Sequence, residues 1–138
     1  IEFEPKSNKT DLAQALKFLS GTQKKKAIVF VISDFMTQEY EQTLKIASKK
    51  HDITGIRVYD IREEKIPNLG MVPMLDAETG AIQLVDTGSK SVRMNYEKYY
   101  HDRVAYFKET FSKSGSGVVN TRVDESYVTK LLGYFKSR

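Results

Sequence analysis

The sequence predicts an α/β domain built on a mainly parallel sheet with an inserted β-hairpin. Three observations lead there. Residues 27–32 (Ala27-Ile28-Val29-Phe30-Val31-Ile32) are six apolar residues without polar alternation, the pattern of a strand covered on both faces in a parallel sheet. A second strand, 53–60, follows after a helix-length segment with short joints. That makes a strand–helix–strand unit whose crossover should be right-handed. Both strands end in a carboxylate, Asp34 and Asp60, at the side of an open α/β sheet where ligands bind.

The elements follow in order. In residues 10–20, Leu12, Ala15, Leu16 and Leu19 recur at helical spacing, and Gly21 is placed as a stop. After the strand 27–32, Thr37 is positioned to cap a helix reaching about residue 50, with Tyr40, Leu44 and Ala47 on its inner face. Lys45, Lys49 and Lys50 suit the negative end of that helix. Strand 53–60 carries Ile53, Ile56, Val58 and Tyr59, and residues 61–70, with Pro67, Asn68 and Gly70, read as a loop. Residues 71–75 and 81–85 flank Asp76-Ala77-Glu78-Thr79-Gly80, which predicts a hairpin closed by these turn residues. A long helix over 91–112 stacks Tyr96, Tyr100, Val104, Phe107 and Phe111 on one side, and Ser114-Gly115-Ser116-Gly117 ends it. A strand over 118–123 leads to Asp124, which should cap a final helix with Val128, Leu131, Leu132 and Phe135 as its buried stripe. There is no internal repeat and no low-complexity tract.

Composition narrows the chemistry. At 138 residues the chain has room for one domain. Apolar residues make up 40% and charged residues 29%, the balance of a folded globular protein. No apolar run approaches the roughly 20 residues that span a bilayer. The sequence contains no cysteine, which excludes disulfides, Cys-ligated zinc, iron–sulfur clusters and a thiol nucleophile. Lys and Arg number 22 against 18 Asp and Glu, a net charge of +4. That excess is too mild and too dispersed to imply nucleic acid. The densest basic run, Lys24-Lys25-Lys26, lies inside the chain and reads as a solvated approach to the strand rather than a leader. A cytoplasmic location is expected. Position 1 is Ile1, and Ile1-Glu2-Phe3-Glu4 alternates like a strand tail, so the chain is expected to come from something longer.

Thr10, at the start of a helix just ahead of the Asp34 strand, and Asp34 and Asp60 at two strand ends are hard oxygen donors suited to Mg²⁺. The same residues also suit plain structural work, since strand-end Asp accepts backbone hydrogen bonds of the next turn and Thr caps helices. Both readings stay open. Tyr96, Tyr99, Tyr100 and Tyr106 lie near Arg93, Lys98, Arg103 and Lys108 and could stack on bases, but helical spacing turns Tyr96 and Tyr100 inward. His51 is expected as a surface or cap residue, and His101 sits in the aromatic helix without an evident nucleophile partner. Asp76 and Glu78 are accounted for by a turn. No phosphate-binding glycine loop is present.

Thr10-Asp11-Leu12-Ala13-Gln14-Ala15-Leu16 followed by Ile28-Val29-Phe30-Val31-Ile32-Ser33-Asp34-Phe35 resembles the later half of a von Willebrand factor A-like domain. With Lys50-His51-Asp52, Val58-Tyr59-Asp60, Glu63, Pro67, Gly70-Met71-Val72 and Leu75-Asp76-Ala77-Glu78-Thr79-Gly80, the chain is similar to the bacterial "domain of unknown function fifty-eight" family. The resemblance implies a Rossmann-like three-layer sandwich with a doubly wound sheet. It also implies a metal-ion-dependent adhesion site, built from an Asp-x-Ser-x-Ser motif, a loop Thr and a strand-end Asp. Thr10 and Asp34 match the last two. The Asp-x-Ser-x-Ser motif is absent; Ser114-x-Ser116 is preceded by Ser112 and lies elsewhere.

Residues 1–138 are therefore expected to form a single partial domain lacking its N-terminal strands, with weak Mg²⁺ binding. Strand 27–32 would be left with an open flank, and a homodimer through residues 27–34 is expected. The resemblance implies a non-enzymatic protein-interaction module working with a MoxR-type AAA+ ATPase. The alternative is a receiver-like or phosphatase-like domain with Asp34 as phosphoacceptor. Against it, Asp34-Phe35-Met36-Thr37 has Met where a phosphatase motif needs a second Asp, and a receiver's early acidic pair and later strand-end Lys are missing.

Overall fold

Three parallel strands carry the structure, a computed structural model that describes residues 10–76 and 79–137. The elements are α1 (Leu12–Thr22), β1 (Ile28–Ser33), α2 (Glu41–Ser48), β2 (Asp52–Tyr59), a 3-10 turn (Ile61–Glu64), β3 (Met71–Leu75), β4 (Ile82–Asp86), α3 (Lys90–Lys113), β5 (Gly117–Arg122) and α4 (Tyr127–Lys136). The sheet order is β1-β2-β5, with Phe30 opposite Thr54 and Thr54 opposite Gly117. β3 and β4 form a separate antiparallel hairpin, with Val72 opposite Val85. The α/β class and the hairpin agree with the sequence reading. The alternating tail at Ile1-Glu2-Phe3-Glu4 and the loop residue Glu78 lie outside the described residues.

Side chains alternate across β2 because a strand repeats every two residues. Ile53, Gly55 and Arg57 face α3. Ile53 joins Leu12, Leu16, Phe35, Tyr40, Leu44, Ala47, Phe107 and Phe111 in one apolar core, with Val29, Val31 and Val118 packed against it. Gly55 is where α3 comes closest: a Cβ there would stand 2.6 Å from the Phe111 ring and 2.7 Å from the Phe107 ring. Buried Arg57 donates from Nη2 to the Tyr100 hydroxyl, and its guanidinium lies 4.2 Å from the centre of the Tyr59 ring. A cation held over aromatic faces and by a phenol replaces part of its lost hydration.

The opposite face is covered unevenly. Tyr134 of α4 reaches Thr54, hydroxyl to hydroxyl at 3.1 Å, and lies where a Cβ on Gly117 would stand. Phe135 meets Phe30 edge-on at 5.9 Å. The outward side chains of β1 stay largely open: Ile28, Phe30 and Ile32 are 68%, 46% and 67% exposed. This corrects the expectation of a strand covered on both faces. The segment has the composition of a two-sided strand, but among the described residues it occupies the edge of the sheet; its Val29–Val31 side packs on the core, while its other side meets α4 only in part.

Other expectations also shift. Asp11, not Thr10, caps α1 by accepting from the Gln14 N–H at 2.8 Å, and the helix runs through Gly21, whose φ stays negative. Thr37 caps nothing. The chain turns left-handed at Phe35 (φ 56°) and Glu39 (φ 66°), which buries Phe35 and Tyr40 and delays α2 to Glu41. Positive φ costs a bulky residue on the order of 1–2 kcal/mol. Phe35 offsets this by stacking on Phe107 at 4.0 Å and meeting Phe111 edge-on at 5.3 Å. Ser126 rather than Asp124 caps α4, because Asp124 is held by Arg122. Val128, Leu132 and Phe135, expected to be buried, are exposed.

The Gly55 contact gives a direct test. Gly55→Ala forces a methyl group into the Phe107–Phe111 stack, and overpacking of this kind costs about 1–3 kcal/mol. The expected loss in unfolding free energy is read by urea denaturation. An unchanged midpoint would show that the rings yield freely.

Candidate functional site

The carboxyl end of β1 and the first turn of α1 lie on one cleft. This cleft, of about 390 Å³ between α1 and β1, is lined by both Thr10 and Ser33. Thr10 and Asp11 also line a second cleft of about 650 Å³ that continues to residues 37–39. The fold thus brings Thr10 near the end of β1, as its place in the sequence led one to expect. Asp34 follows Ser33 and is exposed.

The turn after β1 fixes the backbone around Asp34. Its Oδ1 accepts from the Met36 N–H at 3.2 Å and from the Ser33 hydroxyl at 3.3 Å, while the Ser33 Oγ accepts from the Phe35 N–H at 3.1 Å. The structural role open to a strand-end Asp is therefore filled by Oδ1. Oδ2 accepts no hydrogen bond from the described residues. Two hard oxygens, one from Thr10 and one from Asp34, suit a cation that keeps most of its water, and they are too few to hold one tightly.

Asp60, at the end of the neighbouring strand, is already engaged. It caps the 3-10 turn by accepting from the Arg62 N–H at 2.9 Å, and its Oδ2 accepts from Arg62 Nε, also at 2.9 Å. Those Arg62 hydrogen bonds, from side chain first and backbone second, pull the carboxyl down to about 2. Asp60 thus stays ionised and is held by Arg62.

His51 departs from expectation. It is 2% exposed, and neither ring nitrogen has a hydrogen-bond partner among the described residues. It lies at the start of β2, on the other end of the sheet. Asp76 behaves as read, accepting the Thr79 N–H at 3.1 Å in the hairpin turn. Tyr100 is buried, and the Tyr96 hydroxyl donates to the Glu63 carbonyl at 2.9 Å, so neither is free to stack on a base.

One grouping escaped the sequence reading. His101 lies beside two carboxylates, Glu97 on its own helix and Glu64 from the 3-10 turn. The spacing of Glu97 and His101, four residues apart on α3, was the available signal; nothing in the sequence places Glu64 there.

The Asp60–Arg62 pair predicts a titration. Followed by carboxyl chemical shifts, Asp60 should titrate at about 2, and in Arg62→Ala it should return toward the ~3.9 of a free aspartate. Because the folded value is depressed, the stabilising contribution is present above the unfolded value and is lost as pH falls through about 2. An unmoved midpoint in the variant would remove Arg62 as the cause.

"Uncharacterized protein MAV169" of Mycobacterium avium is 26% identical over 129 residues, covering 93% of this chain and 76% of that protein. "Uncharacterized protein Rv1480" of Mycobacterium tuberculosis is 23% identical over 135 residues; the match covers 97% of this chain and 42% of that protein. The chain therefore spans less than half the length of the latter. Among solved structures, the conserved hypothetical protein BatB from Bacteroides thetaiotaomicron is similar at 14% identity and a TM-score of 0.38, over 93% of this chain and 58% of that one. Residues 1–106 match the family described as "Protein of unknown function DUF58", a span reaching from before α1 into α3. With most of its length matched, the chain belongs to the DUF58 family.

Proposed function

We propose that this chain is a non-enzymatic protein–protein interaction module of the von Willebrand factor A-like kind, with the free edge and outer face of β1 as its docking surface. The observation that carries the reading is the exposure of Ile28, Phe30 and Ile32 on a strand paired on one flank only among the described residues. An apolar strand with an open row of backbone groups is a template for a further strand. Strand addition would satisfy those groups and remove the three side chains from water in a single event.

In this reading the polar end of the same surface is the Thr10–Asp34 edge. Mg²⁺ bound there would supply a positive charge able to meet a partner's carboxylate. Thr10 contributes a neutral oxygen, and Asp34 contributes the carboxylate oxygen that its turn leaves unused. Only weak Mg²⁺ binding by this chain is expected. The resemblance to von Willebrand factor A-like proteins makes a MoxR-type AAA+ ATPase the partner class to test first. In isolation the docking surface meets its own kind, which gives a homodimer through residues 27–34.

Light scattering across a wide concentration range checks this. The wild-type chain should shift from monomer to dimer as concentration rises, and Ile32→Lys, at an exposed position, should remain monomeric with unchanged circular dichroism. A monodisperse wild-type monomer throughout would defeat the reading. For the metal, calorimetry should show shallow, unsaturated Mg²⁺ binding. Tight stoichiometric binding abolished by Asp34→Ala would contradict the partial site.

A further inference from the structure

We propose that Glu64, Glu97 and His101 form a binding site for a divalent transition-metal ion of the zinc type, separate from the Thr10–Asp34 edge. Glu97 and His101 sit one helical turn apart on the same face of α3. Glu64 ends the 3-10 turn that follows β2. The Tyr96 hydroxyl bound to the Glu63 carbonyl ties that turn to α3 and so fixes the backbone from which Glu64 projects.

The distances suit a metal. His101 Nε2 lies 3.3 Å from Glu64 Oε1 and 3.9 Å from Glu97 Oε1, and the three ligand atoms lie within 4.8 Å of one another. Zinc bonds of about 2.0–2.2 Å place tetrahedral ligand atoms roughly 3.3–3.6 Å apart. The triangle needs to tighten along its longest edge, and half-exposed Glu and His side chains do this by rotation about their own bonds. One imidazole with two carboxylates is a mixed nitrogen and oxygen set. The imidazole favours zinc, cobalt, nickel or iron over calcium and magnesium, which prefer oxygen ligands. Three protein ligands leave a fourth position for water.

Charge points the same way and supplies an internal control. Two carboxylates converge on the His101 ring, and Lys65 Nζ sits 3.5 Å from Glu97 Oε1. Lys65 is thus the cation that a metal ion would displace, so its removal should help binding rather than harm it. A merely ion-paired surface cluster would respond in the opposite sense, or not at all. A bound ion would also join the turn after β2 to α3 and stabilise the chain by an amount that grows with the logarithm of ion concentration above Kd.

The untagged chain, stripped of metal, is titrated with zinc by calorimetry and with cobalt by visible absorption. One equivalent should bind, and cobalt should give the d–d band of a low-coordinate nitrogen and oxygen site. His101→Ala and Glu97→Gln, both outside the core, should each weaken zinc at least about tenfold, the scale felt even when an outer-shell partner is lost. Both should also abolish the cobalt band. Lys65→Met should tighten zinc binding, and Asp34→Ala should leave it unchanged. Absence of saturable binding, or affinity retained in both His101→Ala and Glu97→Gln, would overturn the proposal. Loss of affinity in Asp34→Ala would show that the ion sits at the other edge.

Discussion

The rings of Phe107 and Phe111 rest on Gly55, the one residue of the central strand without a side chain. Every layer of the protein is placed by that approach. It draws the 24-residue helix α3 onto β2, and it opens a slot between helix and sheet that Phe35 fills from the end of β1. Tyr40 closes the slot against Tyr106 and Phe111. Because Phe35 enters with a left-handed backbone, the residue before it is turned out of the sheet. The position of Asp34 is therefore a product of aromatic packing more than of any polar interaction.

The same packing makes the two faces of the sheet unequal. One face receives α1, α2 and α3 together with most of the apolar volume. Among the described residues the other receives α4, a ten-residue helix whose Tyr134 sits on the row of Thr54 and Gly117. Gly117 permits that seating just as Gly55 permits the seating of α3, since both remove a side chain where an aromatic residue must come close. What α4 covers only in part is β1, which it meets through Phe135 against Phe30. The uncovered side chains there follow from the shortness of the helix and from the edge position of the strand.

Strands were the more legible part of the sequence. β2 and the hairpin emerge within a residue or so, because strand length, turn residues and apolar runs are local signals. The class of fold follows from them. Burial was less legible wherever it depends on what lies opposite. Residues 27–32 have two apolar sides, but whether each meets a partner is a tertiary matter. The stripe on α4 was misjudged for the same reason. Thr37 looked like a cap because the left-handed turns at Phe35 and Glu39 leave no mark in composition. At the strand-end site, Thr10 and Asp34 could be located from the sequence, and Asp60 could be located but not recognised as held by Arg62. The burial of His51 is not legible in the way a surface or cap position would be, since nothing local shows that β2 begins beneath cover.

The turn at Phe35 bears on how Asp34 meets a ligand. Its backbone is already anchored by the Ser33 and Met36 hydrogen bonds and by an aromatic ring locked in the core. A group held this way has surrendered most of its configurational entropy during folding, before any encounter. Association at that carboxylate would then sacrifice little further disorder, and the free energy of contact would survive largely undiminished in the measured affinity.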